Sequence, residues 1–105
     1  MVNSASGNPI FIDTVNSAGQ AGVVAKKISI SGVSIRASAD NWVVKIRGTE
    51  SGAGFVGQGT VIVDLESKIA NDRGGYFPIS VDSDGIWVET LTGVTDVLVY
   101  KRATT

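Results

Sequence analysis

The chain has no histidine and no cysteine among its 105 residues. Histidine is the side chain that ordinarily titrates near neutral pH, and the cysteine thiolate is a strong nucleophile and metal ligand. Without them, nucleophilic catalysis based on Ser-His or Cys-His pairs is excluded, as are thiolate or imidazole metal centres and any disulfide framework. The Ser and Thr hydroxyls have no histidine to activate them, and no Ser-x-x-Lys spacing occurs. Charge is also sparse. Only 18% of residues are Asp, Glu, Lys or Arg, and the formal net charge is −1. The densest basic pairs are Lys26-Lys27 and Lys101-Arg102. A phosphate backbone calls for a basic stripe, so nucleic acid is not an expected partner. No apolar run approaches the roughly 18 residues of a membrane helix, and no membrane partner is expected. Residues 1–8 lack the basic and apolar regions of a signal peptide.

What is present is 43% hydrophobic residues and 13 Gly, with Val, Ile, Thr and Ser dominant. β-branched side chains suit a pleated surface and lose rotamer freedom in a helix. Apolar residues alternate along short stretches. Ile10 and Ile12 open the pattern, Ile28 and Ile30 follow, and the latter strand is expected to stop at Gly32. Trp42, Val44 and Ile46 share one face of a strand, and so do Val61, Val63 and Leu65, with one helical turn expected near Leu65–Ala70. Phe77, Ile79 and Val81 form a row interrupted by Pro78, which argues for a sheet edge or a bulge. Ile86–Leu91 and Asp96–Lys101 close the chain. The spacing predicts one all-β domain over residues 9–105, a small antiparallel, jelly-roll-like β-sandwich of about seven or eight strands, with a barrel as the alternative. Residues 1–8 are small and polar and are expected to form a flexible N-terminal arm.

The last two strands are apolar on both faces. Trp87 and Leu91 oppose Ile86 and Val88, while Leu98 and Tyr100 oppose Val97 and Val99. A sheet packed on one face only does not need that, so a loop or another subunit should cover the second face. Trp87, Leu91, Leu98 and Tyr100 are the expected oligomer interface, since Trp and Tyr anchor interfaces. Trp42 and Trp87 could instead form a sugar-stacking platform, but alternation in strands favours core or interface packing.

Four motifs carry an apparent chemistry. Gly52-Ala53-Gly54-Phe55-Val56-Gly57 has the G-x-G-x-x-G form but leads into a strand, where a pyrophosphate site requires a helix, and it reads as an inter-strand loop. Asp82-Ser83-Asp84-Gly85 resembles part of a calcium loop, yet the residue in the last ligand position would be Leu91. It reads as a turn with Gly85 at positive φ, a Ca²⁺ site of another kind being the alternative. Asp64 and Glu66 share a strand face, as a glycosidase pair would, or as ordinary solvated acids. Asn71-Asp72-Arg73-Gly74-Gly75 reads as a solvated loop tip or a receptor contact. No catalytic residue, cofactor or metal is expected.

The segment from Gly75-Tyr76-Phe77-Pro78-Ile79 through Asp84-Gly85-Ile86-Trp87-Val88-Glu89-Thr90-Leu91-Thr92-Gly93 to Val97-Leu98-Val99-Tyr100 resembles small virion-associated proteins of tailed bacteriophages, with Ile28-Ser29-Ile30-Ser31-Gly32 a weaker match. The resemblance covers about half the chain. It implies a non-enzymatic β-sandwich that decorates or cements the capsid, located on the phage head surface and assembled in the host cytoplasm. Its partner would be the major capsid protein, its own state a homotrimer, and its arm, with Asn3, Ser4, Asn8, Pro9 and Ile10, the shell contact. A tail or connector component, or a glycan-binding module for host attachment, is the alternative.

Overall fold

The computed structural model describes residues 3–4, 7–17, 21–49, 59–67 and 71–102. Among these the fold is all-β, with no helix. Six strands form one antiparallel sheet: β1 (Ile10–Ile12), β2 (Val24–Ala37), β3 (Val43–Arg47), β4 (Val61–Glu66), β5 (Gly74–Thr92) and β6 (Val94–Lys101). Their order is β1-β6-β2-β5-β3-β4, so the sheet has two edges and does not close into a barrel.

Two long strands make the architecture sandwich-like. β5 pairs with β2 through residues 74–86 and with β3 through residues 87–92. It therefore passes from a four-stranded half (β1-β6-β2-β5) into a three-stranded half (β5-β3-β4), and inward residues of both halves build one core. Ile10, Ile12, Ile30, Val33, Val97 and Val99 come from the first half, and Trp42, Val44, Ile46, Val63 and Val88 from the second. Trp42 lies against Phe77 with ring centroids 6.2 Å apart.

Among the described residues there are six strands, and two expected breaks are bends within strands. Gly85 has φ +76° as predicted, but it bends β5 without ending it. Thr49 fastens the bend, its amide donating to Asp84 O at 2.6 Å. A Cβ on Gly85 would meet Val24 O at 2.6 Å. Gly32 likewise does not end β2. A register shift between Ile30 and Gly32 moves the inward set from Ile28 and Ile30 to Val33 and Ile35, and the strand continues to Ala37. Pro78 stands opposite this bulge, in the part of β5 that has β2 alone as partner, which matches the positional expectation for proline. The helical turn expected near Leu65 is absent at its described start: Leu65 and Glu66 belong to β4. The Gly52–Gly57 motif lies outside the described residues.

Candidate functional site

Antiparallel pairing places registered residues on the same sheet face. On the outer face of the four-stranded half, Phe11 pairs with Leu98, Leu98 with Ser34, and Ser34 with Tyr76. Tyr100 and Pro78 both pair with Gly32. Tyr76 and Tyr100 meet edge to face, with centroids 5.7 Å apart. Gly32 is what allows this. A Cβ there would lie 2.2 Å from the Tyr76 hydroxyl oxygen, so the phenol ring crosses directly over the backbone. Phe11, Leu98, Tyr76, Tyr100 and Pro78 thus form a continuous apolar strip. Tyr76 is 55% exposed, and Phe11, Leu98 and Tyr100 are half-buried. At one end the strip is bordered by the Arg36–Asp96 pair, in which a buried carboxylate holds an exposed guanidinium in a two-point contact.

The four residues expected to form one interface do not come together. Between Lys45 and Ile46 the β3–β5 register shifts, making Glu89 the extra residue of a bulge. Trp87 therefore faces outward with Arg47, while Leu91 turns inward and packs on the core. Trp87 is also only 4% exposed, so the chain itself already covers it, and it is not an exposed interface residue in the isolated protein. Leu98 and Tyr100 alone share a face, joined there by Phe11 and Tyr76. The burial of both tryptophans removes the proposed Trp sugar platform as well.

The described residues of the expected arm are tied to the sheet. Ser4 and Phe11 exchange two backbone hydrogen bonds of 2.8 and 2.9 Å. The Asn3 carboxamide oxygen accepts from the Asp13 and Thr14 amides, and its nitrogen donates to Thr14 O. Asn8 precedes a cis peptide to Pro9 and bonds to Lys101. Ile10 is fully buried in the core, which corrects its assignment as a shell contact. Pro9 is half-buried. A third asparagine works in the same way. Asn16 exchanges hydrogen bonds with Val88 and occupies the free side of β5 where β2 has departed. Such capping by Asn side chains satisfies strand-edge groups that a neighbouring strand would otherwise satisfy.

Asp82 accepts from Ser29 Oγ at 2.7 Å and lies 3.8 Å from Arg102. Among the described residues no three acidic side chains gather at one point. Asp64 and Glu66 are exposed on β4, with Asp64 opposite Lys45. The Asn71–Gly75 loop is anchored by Asp40, which accepts from Arg73 at 2.6 Å and from the Asn71 amide at 2.9 Å. These contacts, the Arg73 hydrogen bond first, hold the Asp40 carboxyl below its ordinary range. On the outer face of the three-stranded half, Glu89 is 2.5 Å from Arg47 Nε and 3.8 Å from Lys45 Nζ. Its carboxyl is likewise held low, chiefly by the Arg47 hydrogen bond.

One juxtaposition is invisible to sequence reading. The two basic pairs, Lys26-Lys27 and Lys101-Arg102, lie far apart in the chain yet line one groove of about 780 Å³, together with Asn8, Ser29, Asp82 and Asp84. A neighbouring apolar cleft of about 310 Å³ is lined by Ile10, Val23, Val24 and Ile28 and shares Lys26 and Lys101 with the groove. No family model, curated protein or solved structure matches the chain significantly.

Proposed function

We propose that this chain is a non-enzymatic structural module of a tailed-phage virion. In this reading it decorates the head and stabilises the shell by bridging capsid subunits, working as a homotrimer. The observation that carries the reading is the outer strip of Phe11, Leu98, Tyr76 and Tyr100. It is aromatic and partly exposed, on a sheet whose inner face carries the buried core. Aromatic strips of this kind suit protein–protein contact better than chemistry on a small substrate. The sequence resemblance to virion-associated β-sandwich proteins and the lack of His and Cys point the same way.

Shell reinforcement follows from summed area. Each copy adds a modest contact, and many copies raise the cost of opening the lattice, even where each contact alone is weak. The test is a phage particle assembled without this gene product. Such heads should release DNA at lower temperature than wild-type heads, and adding the purified chain should restore their resistance. Heads of unchanged heat resistance that do not take up the added chain would overturn the reading.

A further inference from the structure

The groove at the start of β2 gathers the described lysines that have no carboxylate partner among the described residues. Five of the described cations are ion-paired: Arg36, Lys45, Arg47, Arg73 and Arg102 each have a carboxylate within 4.0 Å. The remaining three described cations, Lys26, Lys27 and Lys101, have no such partner among the described residues, and all three line this groove. Of the two acids beside them, Asp82 is engaged by Ser29 and Arg102, and Asp84 stands opposite Lys27. Lys26 and Lys101 remain, one on each strand, at the mouth of the apolar cleft.

The backbone adds a second property. β6 ends at Lys101, paired with Ile30, whereas β2 reaches back to Val24. Among the described residues the only backbone hydrogen bond on that side of Val24–Ser29 is from the Arg102 amide to Ser29 O, at 2.9 Å. An open strand edge offers main-chain donors and acceptors to an incoming extended chain.

We infer that this edge is a docking site for an extended acidic peptide segment of a partner protein, added alongside Val24–Ser29. Its carboxylates meet Lys26 and Lys101, and an apolar side chain on the same face of the peptide enters the cleft of Ile10, Val23, Val24 and Ile28. Lys101 is paired with the inward Ile30 and lines the cleft together with Lys26 and Ile28, so the incoming strand must carry its acidic and apolar residues on one face, at every second position. The inference stands on the groove alone and does not depend on the virion reading.

The test uses a fluorescein-labelled octapeptide with Asp and Val in turn at every second position and Ser between them, with octaglutamate and the same peptide carrying Lys in place of Asp as controls. Anisotropy measures affinity, and ¹⁵N-resolved amide shifts locate the site. The Asp/Val peptide should bind about tenfold tighter than octaglutamate, because it adds an apolar anchor to the charge. The Lys/Val peptide should not bind. The amides of Val24–Ser29 should move, and the Lys26→Glu/Lys101→Glu double variant should lose at least tenfold in affinity, with Lys26→Gln intermediate. Circular dichroism of each variant establishes that it remains folded. Equal binding of octaglutamate with unmoved Val24–Ser29 amides, or no binding of the Asp/Val peptide at millimolar concentration, would overturn the proposal. Neither readout involves phage heads, so failure here is distinct from failure of the proposed function.

Discussion

The Asn8 carboxamide completes both backbone hydrogen bonds of Lys101: its oxygen accepts from the Lys101 amide at 2.9 Å, and its nitrogen donates to the Lys101 carbonyl at 3.2 Å. One side chain thus plays the part of a residue of β1 at the point where that strand has not yet begun. Asn8→Ala removes both bonds at an exposed site and should cost about 1 kcal/mol. Chemical denaturation should show a lower midpoint with an unchanged slope. An unchanged midpoint would mean water replaces the carboxamide at no cost.

Gly85 and Gly32 make predictions of different size from similar crowding. At Gly85 the φ of +76° is strained for any side chain, and the obstruction is the Val24 backbone oxygen. Gly85→Ala should cost about 2–4 kcal/mol. At Gly32 the obstruction is the Tyr76 ring, which is exposed and can swing aside. Gly32→Ala should cost about 1 kcal/mol or less and should disturb the Tyr76–Tyr100 contact, read as a change in near-ultraviolet circular dichroism. Reversed ranking in thermal melts would contradict this account of the two bends.

Trp87 should report on folding and not on assembly. It is buried within a single chain, so Trp87→Ala should lose about 3–5 kcal/mol of stability. Sedimentation below the melting transition should show the same oligomeric state as wild type. By contrast, Leu98→Glu with Tyr76→Glu should leave stability nearly intact and convert a trimer, three times the 10.9 kDa chain, to monomer. A monomeric wild type at micromolar concentration would remove the trimer from the account.

Acid should weaken the fold through identifiable groups. Glu89, Asp40 and Asp72 all have carboxyls held below their ordinary values, through Arg47, Arg73 and the Gly74 amide respectively. A carboxyl with a lowered folded-state pKa stabilises fully above its unfolded value, here 4.5 for Glu89 and 3.8 for the aspartates. That contribution is lost as pH falls below those values toward the folded ones. The melting temperature should therefore be flat from about pH 7 to 5 and fall below pH 4.5, and Glu89→Gln should shallow the fall. A melting temperature that rises on acidification would contradict these assignments.

Strand positions and the inward rows were legible because alternation has a period of two and the core is one-sided at Ile28, Ile30, Val44, Ile46, Val97 and Val99. The continuity of β2 and β5 was not, because Gly32 and Gly85 look like stops when only local sequence is read. Their neighbours across the sheet make them bends. The expected grouping of Trp87 with Leu91 on one face differs in the structure for a related reason. A bulge at Glu89 shifts the phase between Trp87 and Leu91, and strict alternation has no means of anticipating it. Local alternation does not bring Tyr76 to Tyr100, because the two lie 24 positions apart and meet only through β2. The lysine groove has the same origin: charge that is scattered along the chain becomes concentrated when β2 and β6 align.

Under the proposed function, the outer strip of Phe11, Leu98, Tyr76 and Tyr100 is the surface that meets the shell. The most direct measurement is a titration of phage heads lacking the protein with wild-type chain and with Tyr76→Glu, reading bound copies by co-sedimentation. Wild type should saturate at a fixed stoichiometry, and Tyr76→Glu, folded by circular dichroism, should bind at least about tenfold more weakly. Equal saturation by the two chains would contradict the claim.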